Sequence, residues 1–291
     1  MTFRRVALIV HPTRPIAGAL AALNGWAAER GVAVVQIANR GETRQRVAEA
    51  AEVERGDLVV ALGGDGTMLS ALRMASPAGA PVLGVACGSL GVLSSVTPGE
   101  TAGALERAWN GDWTARSVPA LAITADGRPG DRALNDFVIV RGGAGHVAAA
   151  VTVDDELYAR VSGDGVIVAT SLGSSAYSMA AGGPLLAFGT PAFVCTPLAM
   201  HGGNAPPLVV PGDAALTVDV TPGYAGFVAE IDGFRSMPST RRFRITLEPD
   251  AATLVGFDPG SRGLATLRGR RLVADSPRIL ARDDRGRRPQ D

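Results

Sequence analysis

A stretch between residues 57 and 69 constrains the fold of this chain more than any other feature. It reads Asp-Leu-Val-Val-Ala-Leu-Gly-Gly-Asp-Gly-Thr-Met-Leu. The apolar run predicts a buried strand, and the pattern after Thr67 predicts a helix. The three glycines let the backbone approach a ligand closely, and their amide groups can surround an anion at the positive end of the helix. The stretch therefore predicts a strand, a loop of phosphate-binding size and a helix.

Asp65 is the unusual member of this loop, because a fixed carboxylate repels phosphate. It is useful beside an anion when it binds a metal ion or accepts a proton from an attacking hydroxyl. That combination indicates phosphoryl transfer, with Gly63, Gly64, Gly66 and Thr67 around the phosphate. The simpler alternative for an isolated Gly-Gly-Asp-Gly is a tight turn in which Asp65 caps the helix. The other motifs decide between the two.

Composition excludes several functions. With 291 residues, 46% of them hydrophobic, the chain is long enough for two packed units. A formal net charge of zero gives no electrostatic footprint for nucleic acid or for an anionic membrane. No apolar stretch approaches the roughly 20 residues of a membrane helix, and the first one, residues 6–10, is too short for a signal peptide. We therefore expect a cytoplasmic protein, with no disulfide or zinc site at the isolated Cys87 and Cys195.

The sequence contains no lysine. P-loop proteins, protein kinases and pyridoxal phosphate enzymes each need one, so these three classes are excluded. Any phosphate that the chain handles must be held by backbone amides, by a metal ion or by arginine, whose planar fork matches phosphate geometry.

Residues 1–112 alternate short β-branched runs with longer amphipathic stretches, which predicts a Rossmann-like α/β domain with a parallel sheet. Ligands bind beyond the carboxyl ends of such strands, where the 63–66 loop lies. The segments at residues 11–12 and 88–91 follow two other strands and could face the same crevice or be ordinary turns. The predicted strands are residues 6–10, 32–37, 58–62 and 82–85, and the predicted helices are residues 15–29, 43–55 and 67–75.

After a predicted helix at residues 101–111, short strands separated by Gly and Asp turns predict a mostly antiparallel, all-β second domain at residues 113–258. We expect residues 259–281 to pack back on the first domain and residues 282–291 to be disordered. The predicted strands are residues 117–124, 133–141, 147–153, 157–161, 166–169, 216–220, 226–231, 243–247 and 253–257, with residues 206–211 as an edge strand or loop.

Two clusters in this second domain suit a nucleoside. Asn135 and Asp136 could bind a ribose diol, although such pairs also form turns. Residues 170–178, Thr-Ser-Leu-Gly-Ser-Ser-Ala-Tyr-Ser, place hydroxyls and Tyr177 at a strand-to-helix junction after Gly-Asp-Gly at residues 163–165. Hydrogen bonding and stacking could hold a base there, or Ser174 could simply cap a helix.

In this order the motifs resemble those of the NAD kinase family over nearly the whole chain. The loop is similar to the family's Gly-Gly-Asp-Gly, which implies that Asp65 is the base for the acceptor hydroxyl. Asn135 and Asp136 fall where the family has Asn-Glu, which implies contacts to the adenosine ribose of NAD. The resemblance also implies that Ser175, Ala176 and Tyr177 line the adenine pocket, with further substrate contacts from Asp164, Thr170, Ser174 and Asp232. Residues 182–184 and 208–211 look like later family landmarks.

Several residues depart from the family pattern. Ala86 stands where an Asn is usual, and Val92 stands where the family has Phe. Asp136 replaces Glu, Ser171 and Leu172 replace Pro and Thr, and Phe234 stands where Gln is common. These changes lie on the acceptor side, whereas the phosphate loop is intact.

The resemblance implies a kinase that uses ATP and Mg²⁺, without fixed protein ligands to the metal, to convert NAD to NADP. It also implies a homodimer or homotetramer with its interface in the β domain, and neither a nucleic acid nor a membrane partner. Two alternatives stay open. One is phosphorylation of another hydroxyl compound, such as a nucleoside, polyol or lipid. The other is a dinucleotide-binding protein without catalysis, against which the intact Asp65 argues, because a carboxylate facing phosphate hinders simple binding.

Overall fold

The computed structural model describes residues 3–37, 45–88, 91, 93–94, 96–236, 240–258, 264–269 and 272–280. The strands are β1 (Arg5–Val10), β2 (Ala33–Gln36), β3 (Glu49–Ala50), β4 (Leu58–Gly63), β5 (Pro81–Ala86), β6 (Thr114–Ala125), β7 (Arg128–Ala133), β8 (Asp136–Arg141), β9 (Val147–Val153), β10 (Glu156–Gly163), β11 (Gly165–Ala169), β12 (Ala192–Leu198), β13 (Leu208–Pro211), β14 (Ala215–Pro222), β15 (Phe227–Ile231), β16 (Phe234–Ser236) and β17 (Arg242–Gly256). The α-helices are α1 (Ala17–Arg30), α2 (Asp65–Ala75), α3 (Thr101–Trp109), α4 (Tyr177–Ala180) and α5 (Leu264–Gly269), with 3₁₀ turns at Ser76–Ala78, Pro98–Glu100 and Gly173–Ser175.

The first part of the chain forms the predicted parallel sheet, in the order β5-β4-β1-β2-β3. Strand β4 is buried along its whole length, because helices cover both faces. Side chains of α2, among them Met68 and Leu72, pack on one face, and those of α1 and α3, among them Leu23 and Leu105, pack on the other. Each of these fully buried side chains contributes roughly 1.5–3 kcal/mol, so the helix that follows the glycine loop is held firmly.

The parallel strands continue directly into the β-rich part of the chain. The end of β17 pairs in parallel with β5, and its long antiparallel partners are β6 and β14. Strands β9 and β10 extend the same sheet beyond β14. The predicted combination of a parallel α/β unit with a mostly antiparallel β unit is confirmed, and the two units share one sheet. The division at residues 112 and 258 stays a prediction.

A second, antiparallel sheet has the order β13-β12-β11-β8-β15-β16. It packs against the antiparallel part of the larger sheet through a core that contains Phe137, Phe193 and Phe243. The proline-containing strand β13 lies at its edge, where a missing N–H group is tolerated, within the segment 206–211 that was predicted as an edge strand or loop. The core fixes strands β8, β11 and β15, which carry the candidate acceptor residues at their ends.

The predicted helix at residues 43–55 is wrong over its described part, residues 45–55. This segment runs alongside β2 and contains the two-residue strand β3. The buried side chain of Gln36 accepts the N–H of Val47 and donates to the carbonyl of Gln45, at 2.8 Å each. These long-range hydrogen bonds satisfy the backbone in an extended path and override the helical propensity of an Ala- and Glu-rich segment.

Three further predictions about the β-rich part need correction. Strand β12 was not among the predicted strands; it contains Pro197, a residue that is unfavourable in a central strand. The strands predicted at residues 243–247 and 253–257 are one strand, β17, with a register shift between Glu248 and Ala252 around Pro249. The strand predicted at residues 133–141 begins later, at Asp136, because Ala133 is the last residue of β7, a separate hairpin partner of β6. None of the helices in the described part of the chain is long and apolar enough to cross a membrane.

Candidate active site

The glycine loop joins β4 to α2 at the carboxyl end of the parallel sheet. The helix begins at Asp65, two residues earlier than predicted, and Gly64 is its N-cap residue. A Cβ atom at Gly63 would overlap Oγ1 of Thr67, so the close approach of strand and helix requires glycine there. The N–H groups of the first helical turn have no partner within the helix and point toward the loop. The loop therefore has the geometry of an anion site.

Asp65 does not act as the N-cap of α2. It is the first helical residue, and the helix shows no side-chain cap hydrogen bond. Its Oδ1 accepts the N–H of Leu93 at 3.3 Å, and a Cβ atom at Gly91 would overlap the same oxygen. The segment after β5 therefore packs directly against this carboxylate and limits where it can point.

A cavity of about 320 Å³ opens beside Asp65. Arg14 belongs to its lining, and Nη1 of Arg14 lies 2.9 Å from the positions that Cβ atoms of Gly64 and Gly88 would occupy. The guanidinium group thus lies against the glycine backbone of the loop, in a chain without lysine. The lining residues are His11, Pro12, Arg14, Gly64, Asp65, Gly66 and Thr67.

The turn that carries Arg14 is held by His11. Nδ1 of His11 accepts the N–H groups of Thr13 at 3.2 Å and Arg14 at 3.0 Å, while Gln45 donates to the carbonyl groups of His11 and Arg14. Burial and the positive charge of Arg14 lower the pKa of His11, which favours the neutral ring that can accept these bonds. For residues 11–12 the sequence left open a place in the crevice or an ordinary turn, and it did not predict Arg14. The absence of lysine was the signal that an arginine should be sought there.

The predicted acceptor residues around Asn135 are held by Asp232. The carboxylate of Asp232 accepts the N–H groups of Leu134, Asn135 and Asp136 at 3.1, 2.7 and 3.2 Å, and it pairs with Arg73 at 2.6 Å. Its side chain is 0% exposed. Asp232 was predicted to contact substrate, but its oxygens are occupied by the chain itself. Its role in the structure is to hold the 134–136 segment.

Two of the predicted hydroxyl contacts are also internal. Oγ1 of Thr170 donates to the carbonyl of Leu134 at 2.7 Å and accepts the N–H of Gly173. Oγ of Ser174 donates to the carbonyl of Ser171 at 2.8 Å and accepts the N–H of Leu186. Both side chains are buried, and Ser174 lies inside a 3₁₀ turn rather than capping a helix. Thr170 and Ser174 therefore shape the 170–175 segment instead of facing solvent.

Other predicted residues remain accessible. Asn135 and Ser175 are partly exposed, Ala176 is exposed, and Tyr177 is 43% exposed. Asp164 and Tyr177 line a second cavity of about 620 Å³ together with Arg141, Glu230 and Arg235. Ion pairs join Arg141 to Asp164 at 2.6 Å and Arg235 to Glu230 at 2.7 Å. The structure thus brings two of the predicted residues, Asp164 and Tyr177, to one cavity, which is separate from the cavity beside Asp65.

The residues that depart from the family pattern have different environments. Ala86 and Leu172 are buried, and Val92 lies outside the described residues, as do Ser89 and Leu90. The ring of Phe234 stacks against Arg73, with the guanidinium carbon 4.6 Å from the ring centroid. Through this contact with Arg73, Phe234 is linked to Asp232, which holds the 134–136 segment.

The carboxyl group of Asp136 has the most strongly perturbed chemistry among the acceptor residues. Burial raises its pKa to about 7, and the negative charges of Asp232 and Glu230 add to the effect. At neutral pH this group exchanges a proton readily and can donate as well as accept a hydrogen bond. Burial likewise raises the pKa of the Cys195 thiol to about 12, which makes it inert.

Within the described ranges, no group of three or more His, Cys, Asp or Glu residues could hold a metal ion. The donor chemistry of the smaller cavity suits a different mode of binding. Mg²⁺ often takes one or two carboxylates and completes its shell with substrate phosphates and water. Asp65 is the carboxylate in that lining.

Comparison with known proteins agrees with the geometry. Residues 17–113 match the ATP-NAD kinase N-terminal domain, and residues 134–249 match the ATP-NAD kinase C-terminal domain. A protein from Chloroflexus aurantiacus named NAD kinase is 32% identical over 266 residues, which is 89% of this chain and 95% of the relative.

Two solved structures share the fold. Yeast NADH kinase complexed with NADH gives a TM-score of 0.75 at 21% identity, over 94% of this chain and 90% of that one. An NAD kinase from Archaeoglobus fulgidus in complex with ATP gives 0.70 at 22% identity, over 93% and 100%. These likenesses show a shared fold, and the two matched domains make the chain a phosphotransferase. The matched domains and the Chloroflexus relative make the assignment specific, and the chain belongs to the NAD kinase family.

Proposed function

We propose that this protein transfers the terminal phosphate of ATP to the 2′-hydroxyl of the adenosine ribose of NAD, which yields NADP. The observation that carries the proposal is the position of Asp65, at the first residue of α2 and beside Arg14 in a cavity. The relative named NAD kinase and the structural neighbours bound to NADH and ATP support the two substrates.

On the donor side, the chain has three means of holding a phosphate. N–H groups of the first turn of α2 lack partners within the helix and donate hydrogen bonds to it, and the helix dipole adds a positive potential. Arg14 supplies the full positive charge that lysine supplies in other phosphate sites. Mg²⁺, when bound, neutralises the charge that develops on the transferring group. The carboxylate of Asp65 and the ATP phosphates would hold this ion.

On the acceptor side, Asp65 accepts the proton of the attacking hydroxyl. A general base of this kind contributes roughly 10²–10⁴-fold to the rate. Leu93 and Gly91 restrict the carboxylate. The Asp65 side chain therefore loses less conformational freedom when the acceptor binds. Asn135 and Asp136 orient the ribose, and Ser175, Ala176 and Tyr177 line the adenine. We propose Asp164 as a contact to the remaining part of NAD, from the larger cavity.

The proposal extends to the organisation of the protein. We propose an α/β donor domain at residues 1–112 and a β-rich acceptor domain at residues 113–258. Helix α5 buries Leu267, and we propose that residues 259–281 pack on the first domain. The predicted tail at residues 282–291 lies outside the described residues. We propose a cytoplasmic homodimer or homotetramer that is assembled through the β-rich domain.

Product identification tests this function. The purified protein is incubated with Mg²⁺, ATP and, separately, NAD, NADH, adenosine, other nucleosides and polyols, and each product is identified by mass spectrometry. NADP as the main product is the expected result. A different phosphorylated compound with negligible NADP would replace the proposal with the alternative kinase. Tight nucleotide binding without any product would leave only the non-catalytic alternative.

A further inference from the structure

One salt bridge connects the two halves of the candidate site. Helix α2 carries Asp65 at its first residue and Arg73 two turns further along. Arg73 pairs at 2.6 Å with Asp232, which lies in the turn between β15 and β16. The two residues are 159 positions apart in sequence. The helix that presents the base is therefore tied to the smaller sheet at a fixed point, about 12 Å along the axis from Asp65.

The same aspartate holds the acceptor segment. Its two oxygens accept three successive N–H groups, those of Leu134, Asn135 and Asp136, in addition to the guanidinium of Arg73. A fully buried carboxylate is stable only with such complete compensation. Without Arg73, the carboxylate of Asp232 would have only the three backbone N–H groups as hydrogen-bond donors. The position of the 134–136 segment therefore depends on Arg73 through Asp232.

Phe234 closes the arrangement from outside. Its ring lies two residues after Asp232 and stacks on the guanidinium of Arg73, with the guanidinium carbon 4.6 Å from the ring centroid. The stacked ring restricts the guanidinium and shields it from water, which strengthens its bond to the carboxylate. The contact requires an aromatic ring at position 234.

We infer that Arg73, Asp232 and Phe234 form a clamp that sets the position of Asn135 and Asp136 relative to Asp65. The inference rests on the proposed function, because it concerns how far the acceptor ribose lies from the base. We assign the three a positioning role, because their described side-chain contacts are to one another and to the backbone of the 134–136 segment. A displacement of about 1 Å between reacting groups can cost about 10²-fold in rate. The clamp therefore acts on turnover and acceptor binding and not on the binding of ATP.

The test compares Arg73→Met with a matched control, Arg107→Met. Arg107 also pairs with an aspartate, Asp112 at 2.7 Å, and stacks on a ring, Phe257 at 4.5 Å, but it lies on α3. We expect Arg73→Met to lower kcat by about 10²-fold and to raise KM for NAD. The Kd of ATP, measured by isothermal titration, should stay within about twofold of the wild type, because no donor contact changes. Arg107→Met should match the wild type in kcat, in KM for NAD and in the Kd of ATP.

Milder variants keep the test informative if Arg73→Met does not fold. Arg73→Lys retains the charge without the fork, and Phe234→Leu retains bulk without the stacked ring, so we expect losses of roughly 3–10-fold in kcat/KM for NAD. Folded variants at Arg73 and Phe234 with the kinetics of Arg107→Met would overturn the clamp alone. No NADP from the wild type would overturn the proposed function and the clamp with it.

Discussion

The buried carboxyl group of Asp136 makes the stability of this protein depend on pH in a direction that can be worked out. Its pKa rises from the ordinary value of 3.8 to about 7 in the folded protein, mainly through burial. Between these two values the unfolded chain loses the proton while the folded protein keeps it. The protonated Asp136 therefore contributes to the free energy of unfolding at low pH. This contribution is lost as the pH rises through about 7. A difference of about three pKa units corresponds to at most about 4 kcal/mol.

Asp136→Asn removes this titration and keeps the shape of the side chain. The free energy of unfolding of the variant, minus that of the wild type, should grow by up to about 4 kcal/mol from about pH 4 to pH 8. Urea unfolding at half-unit pH steps measures it. Asp112→Asn is the control: Arg107 holds the pKa of the exposed Asp112 below its ordinary value of 3.8, so its difference from the wild type should stay nearly constant from about pH 4 to pH 8 and change, with the opposite sign, only at lower pH. A difference for Asp136→Asn that stays constant across this range would refute the reasoning.

Three further predictions concern the candidate site. Arg14→Gln should weaken ATP binding by roughly 10–100-fold in isothermal titration, since a hydrogen bond to a charged group is lost, and leave NAD binding unchanged; equal losses for both ligands would contradict this. Gly91→Ala should displace the carboxylate of Asp65 and lower kcat by about 10²-fold at a nearly unchanged melting temperature, whereas a wild-type kcat would show that the contact is unimportant. Tyr177→Ala and Asn135→Ala should each weaken NAD binding more than ATP binding; a matched loss of both with a lower melting temperature would indicate core and turn residues instead.

Local pattern was sufficient to predict much of the fold. The strands at residues 6–10, 58–62 and 82–85 are continuous apolar runs, which few structures other than a covered parallel sheet can accommodate. The helix predicted at residues 43–55 failed because Gln36, distant in sequence, binds the backbone of that segment. A pattern within the segment contains no information about such a partner.

The candidate site divides in the same way. Asp65 and the glycine loop are recognisable because four neighbouring residues carry the chemistry, and Asn135 and Tyr177 lie in equally local motifs. Arg73 was not predicted as part of the site, because its partner Asp232 is 159 residues away in sequence. It also suggested substrate contacts for Asp232, Thr170 and Ser174, whose oxygens bind the chain's own backbone. In each case the residue type correctly indicated a group that forms hydrogen bonds. Which partner that group bonds to is decided by tertiary packing.

The central claim is that Asp65 is the base of a phosphoryl transfer, and single-turnover transfer by Asp65→Asn tests it most directly. The substitution keeps the size of the side chain and its acceptor oxygen for the N–H of Leu93, but it removes the proton acceptor. We predict that ATP and NAD bind with wild-type affinity, while NADP forms from the bound pair roughly 10²–10⁴-fold more slowly. Formation of NADP at the wild-type rate by this variant would contradict the account.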